Sequence, residues 1–364
     1  AARHDLTNTT VYQIFTDLFF REAVRFSPLL PTFRQGRHLY PAIPAPQNLF
    51  VSELHPGKGK LIHGHTVQDG HEAARGDFKD SQGGRDLKLE PLSGWLAVRS
   101  NAEVVRADRS SEMHVTMNPD TGRARDQQLF GYVTIPAGQY FLGEMVFADS
   151  SDWTAFQKLI GLPNVPPVDE DSGETTGAPG AIFEVRVGKA TRRGYGLMSC
   201  VLFQASHLDY SLWAGLSIED RVTSVQQPLT LTLLSDAIVP DLWGRSYQVF
   251  DGIWLSATLG VKVKIADEKG IKSGISHPLQ FARSRIVDTF NNHIGLPRHR
   301  DIAMTAGSAV TLLIDEDISL DDLHERFRKV ETQGIGLRRH EGFGRVAFNH
   351  PVYTNACQAV GYTT

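Results

Sequence analysis

Apolar and polar positions alternate most clearly in the C-terminal half of the chain. Leu229-Thr230-Leu231-Thr232-Leu233-Leu234 and Val261-Lys262-Val263-Lys264-Ile265 put every second side chain on one face. That is the period of a half-buried strand. On this alternation Leu255 to Ile265 reads as strand, as does Val310 to Ile314 behind Ala306-Gly307. The period then changes. Leu323, Phe327 and Val330 recur at i, i+4 and i+7, which predicts a helix from Leu320 to Glu331. Ser319-Leu320-Asp321-Asp322 resembles a capping box, with Asp for the usual Glu or Gln.

The N-terminal half is less regular. Val11 to Phe20 has enough apolar positions for a buried helix or strand, and a Pro-rich stretch from Leu29 to Pro46 follows. Residues 53–90 are rich in Gly, His, Lys and Asp without a period, and read as a long surface excursion. Trp95 to Val98 is a short strand. His114 to Met117 and Leu129 to Ile135 flank the turn Asn118-Pro119-Asp120-Thr121-Gly122 and predict a hairpin. Tyr140 to Phe147 is a strand, Ser151-Asp152 caps a helix from Trp153 to Ile160, and residues 161–180 are a polar insertion. Ile182 to Val187 and Met198 to Phe203 are strands, whereas Arg283 to Asp301 is basic and irregular.

One stretch occurs twice. Gly334 to Arg345 holds four glycines, three arginines and a histidine. Val187-Gly188-Lys189-Ala190-Thr191-Arg192-Arg193-Gly194-Tyr195-Gly196 has the glycine spacing of Ile335-Gly336 to Gly342-Phe343-Gly344. The repeat extends upstream: Ala137-Gly138, strand, helix, loop, strand matches Ala306-Gly307, strand, helix, loop, strand. This suits an α+β fold of tandem ferredoxin-like βαββαβ domains with a long β-hairpin and loop insertions. The expected units are residues 1–222, with insertions near 53–90 and 161–180, and residues 228–364.

Composition narrows the options. The chain has 364 residues, is 41% hydrophobic and carries a formal net charge of −4, so a polyanion requires a local basic surface. Two cysteines, Cys200 and Cys357, make neither a disulfide framework nor a thiolate zinc site, and fit a reducing cytoplasm. No apolar run is long enough to span a membrane, and Ala1-Ala2-Arg3-His4-Asp5 leads into no signal-peptide core. A cytoplasmic location is expected.

The candidate chemistry is anion binding. Glycine loops turn backbone N–H groups towards phosphates, and flanking arginines fork onto phosphate oxygens. In the C-terminal loop the candidates are Gly336, Arg338, Arg339, His340, Gly342, Phe343, Gly344 and Arg345. In the first loop they are Gly188, Lys189, Arg192, Arg193, Gly194, Tyr195 and Gly196. Phe343 and Tyr195 are either stacking platforms for flat ligand groups or core aromatics, and the glycines serve either a ligand or close packing. Arg283, Arg285, Arg298, His299 and Arg300 form a further basic cluster, and Arg123 and Arg125 lie on the hairpin. His63-Gly64-His65, with Asp69 and His71, is the nearest approach to a metal or acid–base cluster. The dinucleotide fingerprint fails, because Arg339 stands where a third glycine belongs and the helix precedes the loop. No cofactor is expected.

With these motifs the chain resembles the RAMP superfamily, the repeat-associated RNA-binding proteins of CRISPR systems. The segment from His114 through Arg123 to Phe130, with Ala137-Gly138, is similar to the family's hairpin. Gly295-Leu296-Pro297-Arg298, Ala306-Gly307-Ser308 and the two glycine loops look most like the type III-D Cas-five-like subunit. Members begin with a strand, a glycine-rich turn and a helix before the segment matching Val11 to Phe20, so a partial chain lacking its first strand is expected. The resemblance implies a non-catalytic subunit that holds the 5′ tag of the guide RNA. It would touch the large palm-domain subunit and the Cas-seven-like backbone. Guide-processing nucleases of the same superfamily use a histidine, which makes His63 and His65 the candidates of the alternative reading, a metal-independent endoribonuclease.

Overall fold

The computed structural model describes residues 8–35, 38–52, 61–63, 78–79, 86–87, 89–97, 104–161, 182–188, 191–202, 216–269, 276–291 and 295–353. The protein is α+β, with mostly antiparallel sheets and few helices.

Helix α1 (Thr9–Phe15) starts where Asn8 Oδ1 accepts the N–H groups of Thr10 and Val11, and continues as a π-helical turn, Thr16–Phe20. Strand β1 (Val24–Phe26) follows. Strands β2 (Leu30–Gln35), β3 (His38–Pro44), β4 (Trp95–Ala97) and β5 (Val104–Val105) build most of a five-stranded sheet. The hairpin β6 (Ser110–Met117) and β7 (Ala124–Thr134) comes next, then β8 (Phe141–Leu142), which joins β2. Strand β9 (Met145–Phe147) pairs antiparallel with β1, Val24 opposite Phe147. Helix α2 (Ser150–Ile160) packs Trp153, Phe156 and Leu159 onto that pair and onto Ile14, Leu18 and Phe19 of the first helical segment. Strands β10 (Ile182–Arg186) and β11 (Leu197–Val201) flank the first glycine loop.

The second half is more regular. Strand β12 (Leu229–Leu233), helix α3 (Gly252–Leu259), strands β13 (Val263–Ile265) and β14 (Ala309–Ile314), helix α4 (Leu320–Gln333) and strand β15 (Val346–Phe348) follow in that order. The sheet runs β13-β14-β12-β15, every pair antiparallel. Both helices are buried against it through Trp254, Leu255, Leu323 and Phe327, and Phe327 stacks on Phe348 with ring centroids 3.8 Å apart. Arg221 locks the underside by a bidentate bond to Glu331, both arms 2.8 Å, while Glu331 also accepts the Phe348 N–H. Helix–strand–strand–helix, as α3-β13-β14-α4, recurs in the first half as α1-β1-β9-α2, again with the two strands paired antiparallel.

Several local expectations are corrected. Helix α2 begins at Ser150, and its cap is Asp149, whose Oδ1 accepts the Ser151 and Asp152 N–H groups. Gly252 to Leu259 is a helix, not strand, capped by Asp251 and ended by left-handed Gly260. Tyr140 to Phe147 breaks into β8 and β9. Arg283 to Asp301 is not irregular throughout: Ser284–Val287 pairs with Asp301–Met304. The two halves also share apolar packing. Leu30, Ile43, Leu49 and Leu96 form one buried cluster with Leu234, Ala347 and Val352.

Candidate functional site

The two glycine loops share their backbone geometry at the residues described in both. Val187 N–H donates to the Gly196 carbonyl at 2.9 Å, and Ile335 N–H to the Gly344 carbonyl at 2.8 Å. Each loop contains a single 3₁₀ turn, Thr191–Arg193 and Arg339–Glu341. Gly194 and Gly342 follow at φ +92° and +94°, then Gly196 and Gly344 at +75° and +73°. A Cβ on Gly196 would stand 1.9 Å from the Val187 oxygen, and one on Gly344 1.8 Å from the Ile335 oxygen. No side chain fits there, which is why both loops end on glycine.

Their surroundings differ. The C-terminal loop is wedged between the halves. Arg338 is half-buried, bonded to Asp301 and Glu341, and its guanidinium carbon lies 4.9 Å from the Phe343 ring centroid. Phe343 packs on Ile238, Val287 and Ala303. Arg339 bonds Glu22 at 2.6 Å, Arg345 bonds Glu144 at 2.7 Å, and His340 lies 3.6 Å from Glu22. Each loop arginine thus already meets a carboxylate. Burial pushes the Glu341 carboxyl up, but hydrogen bonds and charge from Arg338 and Arg298 hold it below its ordinary value.

The first loop meets the hairpin. On one face, β6 contributes Glu112 and His114, and β7 contributes their cross-strand partners Tyr132 and Phe130. The Tyr195 hydroxyl donates to Glu112 and lies 3.1 Å from His114 Nε2. The bond to Glu112 pushes the Tyr195 phenol above its ordinary value. Arg193 donates to the Tyr132 hydroxyl at 2.8 Å and sits 5.4 Å from the Phe130 ring centroid. His114 and Phe130 stack at 5.6 Å. The result is a half-exposed face of four rings, a guanidinium and a carboxylate. It is suited to stacking flat groups and contacting anions.

Of the other candidates, Arg285 bonds Asp236, Arg298 bonds Glu341 at 3.0 Å, Arg300 lies 3.4 Å from Asp288, and Arg283 and Arg123 are exposed. The structure therefore brings His114 to Arg193, Gly194, Tyr195 and Gly196, and Arg298 to the C-terminal loop. Lys189, His65, Asp69 and His71, and the side chains of Arg192, Arg125 and His63, lie outside the described residues. Among the described residues no group of three His, Cys, Asp or Glu side chains could hold a metal ion. Glu112, Phe130 and Tyr132 were not among the sequence candidates. Their period-two spacing is visible in the sequence, but which face meets the loop is not.

No family model and no curated protein matches the chain. Among solved structures it is similar to a chain of the Type III-B Cmr-beta bound to cognate target RNA, at 10% identity and a TM-score of 0.32, over 84% of this chain and 73% of that one. It is similar also to a chain of Cmr-beta bound to cognate target RNA and AMPPnP, at 10% identity and a TM-score of 0.32, over 85% and 72%.

Proposed function

We propose that this chain is a non-catalytic, guide-RNA-binding subunit of a type III CRISPR effector complex, built on ferredoxin-like units of the RAMP kind. The observation that carries the reading is the recurrence of one geometry at Val187, Gly188, Gly194 and Gly196 and at Ile335, Gly336, Gly342 and Gly344, the second copy following α4 in the second-half sheet. The strand order β13-β14-β12-β15 with its β-α-β-β-α-β connection supports a ferredoxin-like second half. The recurring helix–strand–strand–helix supports a related first half.

Single-stranded RNA is recognised by stacking of its splayed bases and by contacts to its phosphates. The first-loop face offers both, with Phe130, Tyr132, His114 and Tyr195 as ring surfaces and Arg193 as the cation. The C-terminal loop, its arginines bonded to Glu22, Glu144, Asp301 and Glu341, holds the two halves in register. In this role the chain seats the 5′ tag of the guide between the large palm-domain subunit and the first Cas-seven-like subunit, and leaves RNA intact.

The test is titration of the full chain with a labelled single-stranded repeat RNA across a salt series. Binding should weaken as salt rises, and Arg193→Ala should lower both affinity and salt slope. Equal affinity in Arg193→Ala and His114→Ala, or no binding of repeat RNA at all, would sink the assignment of this face.

A further inference from the structure

Among the described residues, five buried side-chain polar atoms lack a hydrogen-bond partner. Two of them, Arg339 Nε and His340 Nδ1, belong to side chains beside Glu22 at the seam between the halves, and a third, Arg25 Nε, to a side chain that feels the Glu22 charge. An unmet buried donor is costly, and an unmet buried cation more so, so native structures normally fill such places with a partner, a water or an ion. Glu22 spends its carboxylate on Arg339, and Glu144 spends its own on Arg345. Arg25, on β1, has no ion-pair partner among the described residues. Burial lowers the Arg25 pKa, and repulsion from Arg339 and Arg345 lowers it further against the pull of Glu22.

The same three arginines line a small cavity of about 10 Å³, space for a single water-sized atom, with Gly334 and Phe343 on its wall. It adjoins a groove of about 290 Å³, whose wall carries Glu144 and Glu331 as well as Arg221, Arg328 and Arg345. Val146, Thr332 and Arg345 line both. The cavity has room for one oxygen of a tetrahedral anion.

We propose that Arg25, Arg339 and Arg345 form a phosphate-binding seat at the seam, occupied by a phosphoryl or phosphodiester group whose oxygen takes the unmet Arg25 and Arg339 donors. Guanidinium forks match phosphate oxygens, and an anion here gives the Arg25 guanidinium a charged partner. The seat shares no side chain with the His114–Arg193–Tyr195 face, so it stands or falls apart from RNA binding there.

The experiment is thermal unfolding of the full chain in sodium phosphate against sodium chloride at matched ionic strength, for wild type, Arg25→Met and Arg25→Lys. Phosphate should raise the wild-type Tm saturably beyond chloride. Arg25→Met should abolish the difference, and Arg25→Lys, charged but without the fork, should weaken apparent affinity by about tenfold. No difference between the two salts in wild type overturns the proposal, whether or not either variant folds. So does an undiminished difference in a folded variant. Single-stranded RNA titrated against saturating phosphate then distinguishes the sources: competition identifies a polymer phosphate, and its absence a free phosphoryl group. His114→Ala should leave the phosphate shift unchanged.

Discussion

Arg345 donates to Glu144 at 2.7 Å, joining positions 201 apart and tying the last strand of the second half to the turn before β9. The Arg345 side chain is only 13% exposed. Removing the carboxylate takes a charged partner from a mostly buried guanidinium. Glu144→Ala is therefore expected to cost about 2 kcal/mol, and Glu144→Gln, which keeps an acceptor, less. Urea midpoints at constant m-value measure both.

The terminal glycines of the loops should be far less replaceable than a glycine in open space. Gly344→Ala combines a positive φ with a backbone oxygen 1.8 Å from the new Cβ, and is expected to cost at least about 3 kcal/mol. Gly122, in the hairpin turn, has φ +63° but nothing within 4 Å, so Gly122→Ala should cost only the conformational term, about 1 kcal/mol. Equal losses in the two variants, read by chemical denaturation, would contradict the steric account.

Stability should fall in acid through Glu341. Its folded pKa lies below the ordinary 4.5, so the unfolded chain binds the proton more readily. The contribution is complete above the unfolded value and is lost as pH drops through the folded one. Glu341→Gln should flatten the acid limb of a midpoint-against-pH curve below about 4.5 while lowering stability at neutral pH. An acid limb of unchanged slope would show that other carboxylates govern it.

Phe130 supplies a ring that Arg193 covers and His114 stacks upon. If bases stack there, Phe130→Ala should weaken single-stranded RNA binding by about tenfold or more, since stacking contributes roughly 1–3 kcal/mol per base. Phe130→Trp should retain it. Fluorescence anisotropy on folded variants decides between this and a purely structural ring, for which affinity would not move.

The glycine spacing was legible before any coordinates because close backbone approach leaves almost no other residue possible. The hairpin and α4 were legible because their periods are clean. Helix α3 was not: Gly252-Ile253-Trp254-Leu255-Ser256-Ala257-Thr258-Leu259 is apolar almost all round, so no stripe marks it, and only Asp251 and Gly260 signal its ends. The strand Ser284–Val287 exposes three of its four side chains, and its basic surface masked its pairing with Asp301–Met304. The carboxylates that meet the loop arginines could not be read at all. Glu22 and Glu144 reach Arg339 and Arg345 only through tertiary folding, and nothing local marks them.

Leu234, Ala347 and Val352 lie among Leu30, Ile43 and Leu96 in one oily seam. Severing the chain between residues 222 and 228 would bare that seam on both fragments. Neither piece should stay monodisperse when expressed alone, whereas the two made together should reassociate.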